Sequence, residues 1–222
     1  NSTVSANVDA GFSIVSYTGT GANATFGHGL SIAPEMVIVK RRDAVANWFV
    51  YHEGIAVDAA TDFLKLNTTG AAADYDLIWN DTAPTASVVS LGAEVETNAS
   101  SGTFVSYCFH SVDGYSKVGS YTGNGSADGP FVHCGFRPAY VMYKNTDITS
   151  SWYIFDTSRS VDNIAEEALK AEGSGAEVTS AQLDILSNGF KIRLSNSVVN
   201  GSGNTIIFLA FAESPFKHSN AR

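Results

Sequence analysis

The hexapeptide SYTGTG at Ser16–Gly21 recurs as SYTGNG at Ser120–Gly125, 104 residues further along a chain of 222 residues. The blocks PEMVIVKRRDAVANWFVYH and PAYVMYKNTDITSSWYIFD align at the same offset without a gap. The residues shared at matched positions of the two blocks include Pro34 with Pro138, Lys40 with Lys144, Asp43 with Asp147, and Trp48 with Trp152. This recurrence predicts a tandem duplication, in which shared letters mark the scaffold of each copy.

The two predicted repeats span residues 1–112 and 113–222. Towards the end of each copy the offset becomes 102, so that Asn98 matches Asn200 and Thr103 matches Thr205. Such slips fall in polar, glycine-rich stretches, where loops tolerate insertions. Two copies are too few for a solenoid, which needs at least three stacked units. The join near HSVDGYS has no Pro/Ser-rich linker, so we expect the two repeats to pack together.

Strand patterns dominate both copies. GFSIVSYTG alternates apolar and polar residues, and MVIVK and YVMYK are short apolar runs typical of strands covered on both faces. WFVYH and WYIFD follow after polar turns, which predicts a hairpin led by a proline in each copy. Together with the Asn-Gly turn signals, about seven short strands per copy predict an all-β fold of two antiparallel, jelly-roll-like β-sandwiches.

One segment has a helical pattern. VDNIAEEALKAEG, Val161 to Gly173, places Ile164, Ala165 and Ala168 on one face and offers Asp162 as an N-cap. We therefore predict one short helix in the second repeat.

Composition excludes several classes of protein. Charged residues make up only 16% of the chain and the net charge is −9, which disfavours binding to nucleic acid. The one basic cluster, Lys40–Asp43, keeps only its lysine in the second copy and is interpreted as a strand end. No apolar run reaches the length of a membrane span, and no secretory signal is visible, although a first residue Asn1 leaves the completeness of this end open. We expect no membrane insertion.

The sequence shows no strong catalytic or metal-binding motif. The five histidines have no metal-ligand spacing, and TGTGANATFG lacks the lysine and following helix of a phosphate loop. Glu94 and Glu96 resemble a glycosidase pair but have no acidic counterpart in the second copy, so we interpret them as the solvated edge of a strand. Cys108 and Cys134 are either buried free thiols or a disulfide. We predict no catalytic residue, no metal and no cofactor.

A ligand-binding surface is predicted at Trp79, Asn80 and Asp81. Trp79 lies in a loop-like segment, has no counterpart in the second copy and carries a ring that stacks on sugars. Trp48 and Trp152, being duplicated, are interpreted as core residues. Asp74 and Asp76 extend the polar cluster, but the spacing is not that of a calcium loop, and a solvated loop is the preferred interpretation.

These motifs together resemble a known domain. SYTGxG, HGL before a proline, VIVK, SGTFVSYCFH and the ending FAESPFKHSNAR are similar to a β-sandwich domain of undefined function from marine bacteriophages, in which lectin-like copies occur in tandem. The second copy departs from it, with HCGF in place of HGL.

The resemblance implies a non-enzymatic protein on the virion surface, as a tail fibre, receptor-binding protein or capsid decoration. Its partners would be other virion subunits or a host-surface glycan, and it would form a homo-oligomer, for which a trimer is one option. A lectin-like carbohydrate-binding module is the alternative, and a glycan hydrolase ranks below it.

Overall fold

The computed structural model describes residues 2–55 and 58–214, with the side chains of residues 180 and 181 left aside. The described residues form seventeen β-strands and two helices of four residues each, and every strand pairing is antiparallel. The all-β prediction is confirmed. The chain divides into two compact units: unit 1 contains residues 1–67 and 72–110, and unit 2 contains residues 68–71 and 111–222. Residues 68–71, which the sequence division places in the first repeat, therefore belong to unit 2.

Unit 1 consists of a seven-stranded sheet and a two-stranded sheet. Its elements are β1 (Ser2–Asn7), β2 (Phe12–Thr18), β3 (Ala24–Gly27), β4 (Met36–Arg41), β5 (Trp48–His52), β6 (Asp62–Lys65), β7 (Ala73–Asp74), β8 (Val88–Leu91), α1 (Val95–Asn98) and β9 (Thr103–Phe109). The large sheet has the order β1-β2-β9-β4-β5-β6-β7, and β3 pairs with β8.

The core of unit 1 lies between these two sheets. Alternate residues of the large sheet, such as Val15, Val37 and Phe104, form one buried cluster with Phe26 and Val89 of the small sheet. The burial pattern of β2 alternates strictly after its first residue, but the buried face is Ser13, Val15 and Tyr17, whereas Ile14 of the predicted apolar face is exposed. In β4 the four residues Met36–Val39 are all buried, as expected for a strand covered on both faces.

Unit 2 is built on one eight-stranded sheet. Its elements are β10 (Ser116–Thr122), β11 (Phe131–His133), β12 (Pro138–Asn145), β13 (Tyr153–Asp156), β14 (Ala165–Lys170), β15 (Val178–Leu186), β16 (Gly189–Ile192), α2 (Ser197–Asn200) and β17 (Thr205–Ala212). The order is β10-β17-β12-β13-β14-β15-β16-β11. Val132, Phe190 and Ile192 from one end of the sheet share a buried cluster with Val141 and Phe208 from the other, so the sheet curves over its own core.

The two units share one strand order. β2-β9-β4-β5-β6-β7 of unit 1 corresponds to β10-β17-β12-β13-β14-β15 of unit 2, and the pair β3–β8 corresponds to β11–β16. Among the described residues of unit 2, β1 has no counterpart. The duplicated sequence positions therefore fall on topologically equivalent strands.

The recurring hexapeptide ends β2 in unit 1 and β10 in unit 2, and its residues make the same contacts twice. The Tyr17 hydroxyl donates to the carbonyl oxygen of Thr97 at 2.6 Å, and the Tyr121 hydroxyl donates to that of Val199 at 2.8 Å. A Cβ atom on Gly19 would overlap the Ala99 carbonyl oxygen, and one on Gly123 would overlap that of Gly201. The phrase recurs because a tyrosine and a glycine are both required where each strand meets its short helix.

An asparagine at the end of each short helix completes this arrangement. The Asn98 side chain accepts from Thr20 N at 2.8 Å and donates to the carbonyl oxygens of Ala22 and Gly92 at 2.7 and 2.8 Å. The Asn200 side chain bonds Asn124 N at 2.8 Å and the carbonyls of Ser126 and Leu194 at 2.6 and 3.0 Å in the same way. Both asparagines are fully buried and tie three chain segments together.

The helix predicted at Val161–Gly173 is wrong, because the central residues of this segment, Ala165–Lys170, form β14. Ala165 and Ala168 are both buried, but a register shift between Ala165 and Glu167 separates them along the strand. This irregularity produces the three-residue spacing that indicated a helix. Pairing with β13 and β15 overrides the local preference of AEEALK for helix.

The interpretation of AEVETN as a strand edge is also wrong. Residues 95–98 form α1, and Glu94 is its N-cap, with the side chain accepting from Glu96 N at 3.2 Å. In unit 2 Asn196 caps α2 in the same manner, accepting from Val198 N at 2.8 Å. Glu94 and Asn196 perform the same capping role, which the alignment of the two repeats does not show because the residue types differ.

Candidate recognition loops

The carboxylates that resembled a glycosidase pair are engaged in the scaffold. Glu94 caps α1, and the Glu96 carboxylate accepts from Asn47 N at 2.6 Å and from Asn47 Nδ2 at 2.9 Å. Glu96 thus fastens the turn between β4 and β5. Both carboxylates accept hydrogen bonds from backbone N–H groups and so stabilise the scaffold.

The duplicated lysines anchor the same hairpin in each unit. Lys40 Nζ donates to the carbonyl oxygen of Ala46, and Lys144 Nζ donates to that of Ser150 at 3.0 Å. Lys144 is fully buried and also bonds Ser150 Oγ at 2.9 Å and the carbonyl of Thr69, in the 68–71 segment of unit 2, at 3.3 Å. Burial lowers the pKa of Lys144 to about 8, and nearby Glu172 opposes this shift.

The duplicated tryptophans stand at the start of equivalent hairpin strands. The Trp48 backbone N donates to Asn67 Oδ1 at 2.9 Å, and the Trp152 backbone N donates to Glu172 Oε2 at 3.0 Å. Trp152 is almost completely buried, whereas Trp48 is half-buried and stacks on Tyr107 with 6.4 Å between ring centroids. Core packing thus describes Trp152 fully and Trp48 in part.

The duplicated prolines are both buried near the entry of the first hairpin strand. Pro138 is the first residue of β12, where no ladder hydrogen bond is lost. Pro34 lies two residues before β4. They belong to the scaffold and offer no surface for a ligand.

Trp79 is a core residue, which corrects its proposed role as a sugar platform. Its side chain is 1% exposed, its Nε1 donates to the Asp62 carbonyl oxygen at 3.2 Å, and its ring meets Tyr51 edge-on with 6.0 Å between centroids. A buried indole with a satisfied N–H has no face available for stacking. The loop-like sequence of this segment predicts an exposed tryptophan, but the Trp79 side chain points into the core.

Asn80 and Asp81, in contrast, lie at the surface directly after this anchor. Both have left-handed backbone conformations, with φ of 55° and 47°, which Asn and Asp tolerate better than most residues. Asn80 Oδ1 accepts from Asn23 Nδ2, while the Asp81 side chain is exposed. The segment from Asp76 to Ser87 is called the 76–87 loop below. Asp74 and Asp76 flank its start, and both are exposed.

A buried histidine supports the far end of the 76–87 loop. His28 is fully buried, its Nε2 lies 3.0 Å from the Thr85 carbonyl oxygen, and its Nδ1 accepts from Leu30 N at 3.2 Å. Because Nδ1 is an acceptor, the proton sits on Nε2 and the ring is neutral. Burial lowers the pKa of His28, the Thr85 hydrogen bond opposes this, and His110 lowers it further.

Unit 2 presents a small cleft that the sequence did not reveal. It has a volume of about 190 Å³ and is lined by residues between Arg159 and Glu167. Val161 and Ile164 are exposed there, beside the carboxylates of Asp162 and Glu166. The Arg159 guanidinium is held by Asp156, at 3.3 Å, and by Glu177. The cleft lies in the turn that leads into β14, and the sequence predicts a helix there, so the cleft could not be expected from the sequence.

Both cysteines of the chain are buried. Cys108 and Cys134 are free thiols, and burial raises their pKa to about 11 and about 12. Across residues 2–55 and 58–214 no cluster of three or more His, Cys, Asp or Glu side chains could hold a metal ion. No helix in the same ranges is long and apolar enough to cross a membrane.

The fold and these surfaces define an all-β protein whose two units share one topology and whose polar loops stand on a tightly bonded scaffold. A family model matches residues 1–215, and the chain belongs to that family, which is described as a domain of unknown function, DUF7483. The matched region covers unit 1 and unit 2 as far as residue 215. Searches of curated proteins and of solved structures returned no match. The family description states no activity, so the resemblance to bacteriophage surface domains stays a prediction.

Proposed function

We propose that this chain is a non-enzymatic structural protein of a virion surface that acts by recognition, as a tail-fibre or receptor-binding component or as capsid decoration. Its partners would be other virion subunits and a host-surface glycan. The sequence resemblance supports the virion assignment. The structure of the 76–87 loop supports the recognition role.

The main observation in support of this proposal is that hydrogen bonds to buried residues hold both ends of the 76–87 loop without a ligand. Trp79 is buried and bonded to Asp62 at one end of the loop, and Thr85 is bonded to His28 at the other. Between these anchors the exposed Asp81 carboxylate and the Asn80 amide are displayed on a backbone that needs no further ordering. A loop ordered in advance loses little conformational entropy on binding, which favours a passive recognition surface.

The engagement of the other polar groups supports the same proposal. Glu94, Glu96 and Lys144, which sequence or chemistry singles out, all stabilise backbone atoms of the scaffold. A net charge of −9 would keep many copies on one particle from aggregating.

Electron microscopy of the source material tests the virion assignment. Gold-labelled antibodies raised against the purified chain should decorate virus-like particles, at fibre ends or on the capsid shell. Label found only on cells or in free material, with particles bare, would contradict the assignment. Pre-incubation of the antibody with purified chain should abolish the label and serves as the control.

An adsorption assay tests the recognition surface. The purified chain should inhibit attachment of the particles to host cells, and the double substitution Asn80→Ala with Asp81→Ala should remove that inhibition. The matched control is Asp162→Ala, an equally exposed acidic side chain in unit 2. If the double variant inhibits as well as the parent chain, the 76–87 loop is not the recognition surface.

A lectin-like carbohydrate-binding module is the second candidate, and the exposure of Tyr75 favours it. Tyr75 lies immediately before the 76–87 loop and is 42% exposed, so it replaces Trp79 as the aromatic ring available for stacking. A glycan array should then show specific binding that Tyr75→Ala and Asp81→Ala each abolish. An array without specific binding would reject this candidate, and glycan binding that survives both substitutions would place the sugar site elsewhere.

A further inference from the structure

Strand β1 is exposed along its whole length. All six of its residues, Ser2–Asn7, are exposed, although they pair with β2 over the full strand. β1 ends the seven-stranded sheet, so one of its edges carries main-chain groups directed away from β2. The sequence STVSAN contains no charge and no proline, which are the usual devices that keep an edge strand from pairing.

The other sheet edges in the described ranges are short or partly capped. β7 has two residues and β11 has three. Along β10 the Ser111 hydroxyl bonds the N and O atoms of Val118 at 3.0 and 3.3 Å, and Val112 N donates to the Ser116 carbonyl oxygen at 3.0 Å. The segment of residues 111–115 thus lies beside β10 in unit 2, as β1 lies beside β2 in unit 1. The edge of β1 is therefore the longest one available to a further strand.

The register of β2 identifies which groups of β1 face outward. Gly19 N donates to the Gly102 carbonyl oxygen, and His110 N donates to that of Gly11, so the odd-numbered backbone groups of β2 face β9. The even-numbered ones then face β1, where they meet Thr3, Ser5 and Asn7. Because the direction of the backbone groups alternates along a strand, the N–H and C=O groups of Ser2, Val4 and Ala6 face outward.

We propose that two copies of this chain pair antiparallel through β1, around a two-fold axis at Val4. Val4 of one copy then faces Val4 of the other, and Ser2 faces Ala6 on both sides of the axis. The strand is thus complementary to itself, as a two-fold interface requires, and the pairing makes about six main-chain hydrogen bonds. This inference does not depend on the proposed function.

The identity of the occupant follows from charge and symmetry. Each chain carries a net charge of −9, so two copies repel one another least where the contacting surface carries no charge. β1 is such a surface. On one face Val4 and Ala6 lie over Gly29, where a Cβ atom would meet both side chains, so the strand is already held in place for pairing. A foreign strand would have no reason to be centred on Val4.

Sedimentation velocity over a range of chain concentrations tests the dimer. The parent chain should shift from monomer to dimer as its concentration rises, and Val4→Pro should remain a monomer because it removes a central outward donor. Since the Val4 N–H does not face β2, proline there leaves the β1–β2 pairing intact. Val4→Thr, which keeps the N–H and the branched side chain, should dimerise like the parent and is the matched control.

Cysteine cross-linking tests the register. In the proposed dimer the two Val4 Cα atoms are about 5.5 Å apart, which suits a disulfide, so Val4→Cys should give a covalent dimer on mild oxidation. Ser5→Cys is equally exposed but faces Thr3 of the second copy, and it should cross-link far more slowly. Cys108 and Cys134 are buried and should not interfere.

Three results would overturn the proposal. The first is a parent chain that stays monomeric up to its solubility limit. The second is an oligomer that Val4→Pro leaves unchanged, which would show that another surface forms the contact. The third is faster cross-linking of Ser5→Cys than of Val4→Cys. A native unfolding midpoint for Val4→Pro excludes loss of folding as the cause of its monomeric state.

Discussion

The Tyr17 hydroxyl donates to the carbonyl oxygen of Thr97, 80 residues further along the chain, and so joins the end of β2 to the helix that precedes β9. The Tyr121 hydroxyl makes the equivalent bond to Val199 in unit 2. Burial raises the pKa of both phenols, which keeps them as donors throughout the physiological range. The same hydrogen bond, from a tyrosine hydroxyl to a carbonyl oxygen of the short helix, therefore joins strand to helix in both units.

The first prediction concerns these tyrosines. Tyr17→Phe and Tyr121→Phe should each lower the free energy of unfolding by about 1–3 kcal/mol, because each leaves a buried carbonyl oxygen without its donor. Urea unfolding followed by fluorescence measures both effects. Tyr75→Phe, at an exposed ring, should change stability by less than about 0.5 kcal/mol. If only one of the two buried sites were sensitive, the two contacts would not be equivalent in energy.

The second prediction concerns the two buried asparagines. Asn98→Ala and Asn200→Ala each remove the partners of one N–H and two carbonyl groups, so each should destabilise the chain by about 3 kcal/mol or more. Substitution by Asp should also destabilise, because a carboxylate cannot donate to the two carbonyl oxygens.

Thermal unfolding of these asparagine variants, beside Ser100→Ala at an exposed position, provides the measurement. The serine variant should melt like the parent chain. A melting temperature of Asn98→Ala or Asn200→Ala within a degree of the parent would show that water replaces the amide, contrary to the proposed role.

The third prediction concerns Lys144. Lys144→Met should destabilise unit 2 by about 1–3 kcal/mol at neutral pH, because the carbonyl oxygens of Ser150 and Thr69 lose a donor. The pKa of Lys144 is about 8 in the folded chain and is close to 10.5 when unfolded. Between these values the unfolded chain binds more protons, so the contribution of the lysine to stability rises with pH, by up to about 1.4 kcal/mol per pH unit.

Denaturant unfolding at pH 7.5 and pH 9 measures this effect. The difference in stability between the parent chain and Lys144→Met should be larger at pH 9. Lys170→Met, at an exposed position, should show no such change and controls for general charge effects. A difference that is the same at both pH values would mean that Lys144 is not desolvated in solution.

Much of the strand framework could be predicted from the sequence, because its determinants are local. Period-two alternation in β2 and the apolar runs of β4 and β12 reflect constraints carried by neighbouring residues. The duplicated residues Lys40 and Lys144 also make equivalent hydrogen bonds, each to a carbonyl oxygen six residues further along the chain. These features needed no knowledge of distant contacts.

The remaining errors share a different cause. The composition of β14 favours a helix, and only its pairing with β13 and β15 makes it a strand. The local sequence around Trp79 predicts a surface loop, because nothing local shows that Asp62 and Tyr51 surround the indole ring. The Glu94 cap and the cleft at residues 159–167 likewise depend on where distant segments meet. Residues that interact across the fold cannot be recognised from one sequence without pairing information.

The last prediction concerns acid. His28 is neutral in the folded chain, and burial lowers its pKa below the ordinary value of 6.5. The unfolded chain therefore takes up a proton at a higher pH than the folded chain does. Stability should be fully present above about pH 6.5 and should fall as the pH drops towards the folded-state pKa. Protonation would also break the bond from Leu30 N, because Nδ1 would become a donor.

Unfolding midpoints at pH 7.5, 6.0 and 5.0 measure this loss, with His28→Gln and His133→Gln compared. His28→Gln should be less stable than the parent at pH 7.5 but should lose less stability on acidification. His133→Gln, at an exposed ring, should follow the parent curve. Because the pKa of Asp62 is raised by burial and by nearby Asp74 and Asp58, its protonation at lower pH should favour the folded state and oppose the effect of His28. The same measurement is made on Asp62→Asn, in which the opposing carboxylate is absent. If the unfolding midpoint declines between pH 6.5 and 5.0 neither in the parent chain nor in Asp62→Asn, His28 does not support the 76–87 loop in the way its geometry indicates.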